Sequence, residues 1–332
     1  MFNRAAMTAI ILSGLLAGCS GNFHLIDFLK DYHSGVMVDA DHGVLLYGLD
    51  MLTTPGSRVQ LQARLRSPKS FEGIEGVRIS FQENGRLLGE AITDENGVAE
   101  IDCSIGSAGP HMIDIVPTKL PRDIDEDYNQ ALQARARMLV DAEGADTKFI
   151  VVDLDHTLVD ASGANVLINS DSKELAGAAE AMRRIGESYH AIYLTHRPQM
   201  MTVKSRQWLR EHKLPLGVLL SAPGRQILVA NEKFKSAVLA ELRKSHPGIE
   251  IGVGDEASDA AAYLENGMTA YLIPHCKPDP KACRKLGGEI LALPDHDRIQ
   301  AVTAWDQIVE GILNHRRFTA EEFVNRLEKV KS

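Results

Sequence analysis

Two aspartates stand two residues apart in Phe149-Ile150-Val151-Val152-Asp153-Leu154-Asp155-His156-Thr157, directly after a continuous apolar run. On an extended segment that spacing turns both carboxylates to one side. One carboxylate can attack phosphorus and form an aspartyl phosphate. Its neighbour can protonate the leaving oxygen and later deprotonate water. Further along come Thr195-His196-Arg197, the lysines Lys233 and Lys235, and Gly254-Asp255-Glu256-Ala257-Ser258-Asp259. Thr195 can hydrogen-bond a transferring phosphoryl group, and a lysine can neutralise its charge. Crowded acids facing a dianionic phosphate need a counter-charge, and oxygen ligands suit Mg2+. Asp153, Asp155, Asp255 and Asp259 are the expected metal-site residues, with Asp259 supporting Asp255 from behind. Each piece alone is weak, because acidic pairs are usually solvated loop residues; their order along the chain carries the reading.

The elements that must position them follow from the apolar periodicity. Phe149-Ile150-Val151-Val152, Ala191-Ile192-Tyr193-Leu194, Val218-Leu219-Leu220, Ile249 to Val253 and Ala270 to Ile273 read as buried parallel strands. Helical segments lie between them, such as Phe234 to Lys244, with Phe234, Val238 and Leu242 at four-residue spacing. Alternating strands and helices of this kind predict a doubly wound α/β domain over 147–332. Ligand sites in such a sheet lie at the carboxyl ends of the strands, where these motifs fall.

Residues 43–120 have a different rhythm. Val59, Leu61, Ala63 and Leu65 alternate with polar residues, and Asn84-Gly85 and Asn96-Gly97 supply turns. This predicts a small all-β sandwich, with Cys103 on its inward side. The turn around Asn96-Gly97 resembles those of bacterial immunoglobulin-like modules. Residues 121–146 are charged and read as a connecting helix or linker.

The chemical residues together match the haloacid dehalogenase superfamily: DxDxT at Asp153, Asp155 and Thr157, then Thr195, a lysine, and GDxxxD at Asp255 and Asp259. Ile192-Tyr193-Leu194-Thr195-His196-Arg197, Phe234-Lys235 and Gly254-Asp255 to Asp259 with Tyr263 are similar to the lipin-type phosphatidate phosphatase domain. The resemblance covers about 149–273 and selects Lys235 over Lys233 as the motif lysine. It implies a Mg2+-dependent phosphatase with Asp153 as nucleophile and a lipid phosphate as substrate. His156 departs from the glycine common at that position, and Asp255 from the asparagine of many lipins. About thirty residues separate Thr157 from the second strand and about forty separate Thr195 from Lys235. That leaves no room for a large cap, so the site should stay open to bulky or surface-bound substrates.

At 332 residues the chain can build two cores, and a net charge of −9 argues against a nucleic-acid binder. Arg4 followed by apolar Ala5 to Gly18 reads as a signal peptide over 1–18. Leu16-Ala17-Gly18-Cys19 resembles the lipobox of bacterial lipoproteins, which implies a lipid on Cys19. Residues 19–42 would then be an anchor linker, and Ser20 favours the outer membrane, facing the periplasm. Cys276 and Cys283 can pair as a disulfide in an oxidising compartment; the alternative is two isolated small side chains. Lys204, Arg206, Arg210 and Lys213 read as a solvated helix face rather than a lipid contact. Competing functions are a phosphatase of soluble or protein phosphomonoesters, and a lipid- or phosphate-binding module without turnover.

Overall fold

A computed structural model describes residues 40–160, 172–224, 226–274 and 280–329. In the first half, β1 (Leu45–Gly48), β3 (Arg58–Arg66) and β6 (Val98–Ser104) form a three-stranded antiparallel sheet. A five-stranded sheet runs β2-β8-β7-β4-β5, from β2 (Met51–Thr53), β4 (Arg78–Glu83), β5 (Arg86–Ile92), β7 (Gly109–Lys119) and β8 (Ala136–Ala142). Val59, Leu61, Ala63 and Leu65 of β3 are buried and share a core with Phe81, Ile113, Ile115 and Met138. The period-two pattern thus became one packed face. Asn84 and Gly85 join β4 to β5 with φ of 49° and 78°, the two positive values a tight two-residue hairpin requires. Cys103 is a half-buried free thiol against that core.

The segment 121–146 is not a connecting helix. It holds two single-turn 3-10 helices and then β8, which pairs antiparallel with β7 and parallel with β2. Hydrogen bonding to two sheet partners outweighed its charged, helix-prone lead-in.

The second half is a six-stranded parallel sheet made of β9 (Phe149–Val152), β10 (His190–Pro198), β11 (Gly217–Ala222), β12 (Ile249–Gly254), β13 (Thr269–Leu272) and β14 (Ile299–Ala301). Its order is β11-β10-β9-β12-β13-β14, so the winding reverses between β9 and β12. The helices are α1 (Ala178–Ile185), α2 (Thr202–Glu211), α3 (Asn231–Ser245), α4 (Ala257–Glu265), α5 (Pro280–Leu291), α6 (Trp305–Asn314) and α7 (Ala320–Lys329). Ile150 and Val152 pack with α1, α2 and α6 on one face, while Phe149 and Val151 pack with α3, α4, α5 and α7 on the other. All four β9 side chains are buried, which is why the strand is a continuous apolar run. Burying each is worth roughly 1.5–3 kcal/mol. Among the described residues, only α1, α2, β11 and single-turn 3-10 helices lie between β9 and α3 besides β10.

The halves are joined by buried polar contacts. Asp50, between β1 and β2, accepts the backbone N–H of Leu139 at 2.5 Å and of Leu219 on β11 at 2.9 Å. Arg206 of α2 pairs with Asp50 at 2.7 Å and donates to the Arg137 carbonyl. Lys204 is also buried, so the expected solvated basic face holds only for Arg210 and Lys213. Among the described residues no helix is long and apolar enough to cross a membrane. Cys19 and Cys276 lie outside the described residues, as do 161–171; Cys283, on α5, is buried and disulfide-bonded.

Candidate active site

The site forms where β9 and β12 end side by side, at the reversal of strand order, the place where open α/β sheets hold ligands. Val152 pairs with Val253, and the Asp153 N–H donates to the Val253 carbonyl at 3.0 Å. This extends the pairing by one residue and fixes Asp153 beside the start of the β12 loop. The chain then turns about one carbonyl: the N–H groups of Thr157, Leu158 and Val159 all reach the Leu154 oxygen, at 3.3, 2.9 and 2.9 Å. His156 takes φ of 55° in this turn. The left-handed region favours glycine, which explains why glycine is the common residue of the resembling motif and marks His156 as a strained substitute.

The charges are concentrated. Lys235, buried on α3, donates from Nζ to Asp153 Oδ1 and to Asp259 Oδ1, each at 2.6 Å. Lys233 on the same helix is exposed. Asp153, Asp255 and Asp259 each present an oxygen within 4.8 Å of the others. Asp259 sits in the first turn of α4, where its other oxygen accepts the Glu256 N–H at 3.3 Å. A Cβ on Gly254 would lie 2.5 Å from Asp259 Cβ, so only glycine lets the two segments approach this closely. Asn231 at the start of α3 donates to Asp259 at 3.1 Å.

Three carboxylates share one ammonium, with Asp153, Asp259 and Lys235 buried and Asp255 half-buried, and this shifts the titration of the set. Burial, opposed by Lys235 and assisted by the charges of Asp259 and Asp155, pushes Asp153 up to about 7. Burial, then the charges of Asp259 and Asp153, pushes Asp255 well above the ordinary carboxylate range. Burial alone would lower the Lys235 ammonium, but the Asp153 and Asp259 carboxylates hold it well above its ordinary range. The surplus negative charge and the all-oxygen donors fit a hard divalent cation.

Asp155 lies apart from this set. Its carboxylate is gripped by Arg197, with Nη2 to Oδ1 at 2.7 Å and Nε to Oδ2 at 3.0 Å. Arg197 Nη1 also donates to Ser205 on α2 at 2.9 Å. Of the four expected metal-site carboxylates, the structure brings Asp153, Asp255 and Asp259 together and pairs Asp155 with Arg197 instead. Thr195 is fully buried at the end of β10, and its hydroxyl accepts the Arg197 N–H at 3.2 Å. That leaves its O–H available to donate. Thr157 donates to Asp255 Oδ1 at 3.3 Å. Arg197, Asn231 and Thr157 were not assigned roles from sequence. Arg197 carried a visible signal: an arginine two residues after a strand-end threonine, opposite an aspartate pair.

Residues 150–273 match the family model described as PITM 1-3, LNS2 domain. Protein retinal degeneration B of Drosophila melanogaster is 27% identical over 226 residues, 67% of this chain and 16% of that protein. Membrane-associated phosphatidylinositol transfer protein 2 of Mus musculus is 27% identical over 188 residues, 55% of this chain and 12% of that protein. The matched region thus spans a small part of either relative. Among solved structures, a predicted phosphatase from Clostridium acetobutylicum is 14% identical, covering 51% of this chain and 99% of that chain with a TM-score of 0.35.

Proposed function

We propose that the chain is a Mg2+-dependent phosphomonoesterase that works through an aspartyl phosphate on Asp153 and acts on a membrane lipid phosphate such as phosphatidate. The observation that carries this reading is the buried Lys235 bridging Asp153 and Asp259 beside Asp255, a set with more carboxylates than cations. Asp153, Asp255 and Asp259 would hold the cation, which supplies positive charge to the phosphoryl group and to the carboxylates.

The chain's own residues divide the reaction as follows. An Asp153 carboxylate oxygen attacks phosphorus, and the bond from phosphorus to the ester oxygen breaks. Asp155 gives a proton to the departing alcohol, then takes one from the water that hydrolyses the aspartyl phosphate. Arg197 positions Asp155 for both transfers, and Thr195 and Lys235 stabilise charge on the phosphoryl oxygens. Burial of Asp153 and Lys235 keeps bulk water away from the nucleophile.

The lipid substrate is supported by the lipin-like motif residues, by the match to a domain of the PITM proteins, and by the short segments between β9 and α3. The Leu16-Ala17-Gly18-Cys19 sequence adds a lipid anchor, and with it an outer-membrane, periplasm-facing location. The similarity to a phosphatidylinositol transfer protein favours a second reading, a lipid-phosphate-binding module without turnover. The deciding experiment measures phosphate release with Mg2+ from phosphatidate in mixed micelles, glycerol phosphate, nucleotides and phosphopeptides. Turnover of phosphatidate that disappears in Asp153→Asn supports the proposal. Binding of phosphatidate vesicles with no release from any substrate would favour the second reading, and preferred turnover of a soluble ester would end the lipid assignment.

A further inference from the structure

A second group of potential ligands lies at the opposite end of the parallel sheet, where β8 of the first half meets the amino ends of β9 and β10. Asp141 on β8 and Glu143 just past it are two residues apart on extended chain, so their carboxylates share a side. The Glu143 N–H donates to the Thr53 carbonyl at 2.8 Å, which holds that extension. His190 opens β10; its N–H donates to the Lys148 carbonyl at 2.8 Å, and its ring stands edge-on to Phe149 at 5.7 Å. Its Nδ1 faces Glu143 Oε1 at 3.5 Å and Asp141 Oδ2 at 3.9 Å.

We propose that Asp141, Glu143 and His190 form a binding site for a divalent transition-metal ion of the Zn2+ type, joining the β half to the parallel sheet. Four observations support it. The three residues each place a donor atom within 4.8 Å of the others. Asp141 is only 6% exposed, and its Oδ1 is buried without a hydrogen-bond partner, a costly state for a carboxylate oxygen unless something binds it. Tetrahedral Zn2+ with bonds of about 2.0–2.2 Å sets its ligand atoms about 3.3–3.6 Å apart. The His190 separations lie near that spacing and beyond an ordinary N–H···O bond. Lastly, the Asp141 and Glu143 side chains are 8% and 12% exposed while His190 is 47% exposed, so a buried acid pair opens to solvent through the imidazole. That leaves an entry path and room for water as a further ligand.

His111, also near Asp141, is committed to Glu83 and to the Ser107 carbonyl, the latter at 3.0 Å. Imidazole with two carboxylates suits Zn2+ better than Mg2+, which prefers oxygen alone. The site is thus chemically distinct from the all-carboxylate set at Asp153, and the inference does not depend on the proposed phosphatase activity.

The test titrates zinc chloride into the metal-free full chain in a large excess of Mg2+, by calorimetry and by thermal melting. The wild type should take up one equivalent of Zn2+ and melt at a higher temperature with it. His190→Ala and Glu143→Gln should each weaken uptake at least tenfold and lose the thermal shift, with Mg2+-dependent turnover unchanged. Glu143→Gln keeps the side-chain shape and decides the matter if His190→Ala fails to fold. Asp255→Asn should retain the zinc equivalent. No uptake by the wild type, uptake that persists in the two site variants, or loss in Asp255→Asn would overturn the proposal.

Discussion

Arg197 Nη2 lies 2.7 Å from Asp155 Oδ1, and the same guanidinium reaches Ser205 on the following helix. The arginine thus ties the loop after β9 to the end of β10 and the start of α2, with its side chain nearly inaccessible to water. Because it meets both Asp155 oxygens, it fixes the plane of the carboxylate as well as its position, which an ammonium cannot do.

Arg197→Lys should therefore lower kcat about 10–100-fold with a small change in KM, since the proposed proton transfers depend on where Asp155 points. Arg197→Ala should lose more activity and also destabilise the fold by roughly 3–5 kcal/mol, because the guanidinium leaves a partly buried carboxylate and Ser205 unpaired. Steady-state kinetics with a chromogenic phosphomonoester and a denaturant titration check both. Equal kcat in Arg197→Lys and wild type would remove the positioning role.

The strand ends were legible in the sequence because their signals are local. An apolar run fixes β9, and Asp153 and Asp155 follow it directly; the same holds for Thr195 and Asp255. What escaped notice depends on partners far along the chain. Ala136–Ala142 is short and follows a charged stretch, and it becomes a strand through pairing with β2 and β7. Asp50 looks like an ordinary turn residue, yet its partners come from positions 139, 206 and 219. Lys204 and Arg206 read as a solvated face because helix periodicity does not reveal a neighbouring domain. The three-carboxylate set was in reach from sequence, but the separation of Asp155 from it was not, since the pairing with Arg197 spans 42 positions.

The titration of Asp153 predicts how the metal-free chain responds to pH. Its folded value, about 7, lies above the ordinary 3.8 expected when unfolded. The folded state therefore binds the proton more tightly, and this contribution is complete below the unfolded value and lost as pH rises through the folded one. In a chelator, the melting temperature should fall between about pH 4 and pH 7 by more in wild type than in Asp153→Asn. Added Mg2+ should restore the loss at the upper end of that window. A fall of equal size in the two proteins would show that Asp153 does not carry it.

His156 offers a backbone test separate from charge. At φ of 55° a side-chain-bearing residue is strained by about 1–2 kcal/mol relative to glycine. His156→Ala and His156→Gly both delete the ring, so their difference isolates the strain. The glycine variant should be the more stable by about 1 kcal/mol in a denaturant titration, with turnover similar in both. Alanine matching or exceeding glycine would show that the turn does not hold that dihedral in solution.

Asp50 tests whether the two halves depend on one another. It is buried and takes hydrogen bonds from Leu139 in the β half and Leu219 in the parallel sheet, while Arg206 pairs with it from α2. Asp50→Ala leaves two backbone N–H groups and a guanidinium without that acceptor. Each buried unsatisfied donor costs about 1–3 kcal/mol, so the total should reach several kcal/mol. Asp50→Asn keeps one acceptor oxygen but presents an NH2 group where the carboxylate met a second donor, and it should cost less. Burial, only partly offset by Arg206, raises the Asp50 carboxyl, so the ionised wild type gives up some stability as pH climbs through that raised value. Asp50→Asn has no such titration, so its deficit against wild type should narrow as pH rises from 4 towards neutrality. Chemical denaturation at a series of pH values measures this, with limited proteolysis showing whether the halves come apart in Asp50→Ala. A pH-independent deficit in Asp50→Asn, or an Asp50→Ala chain as stable as wild type, would mean that the joint does not depend on the Asp50 carboxylate.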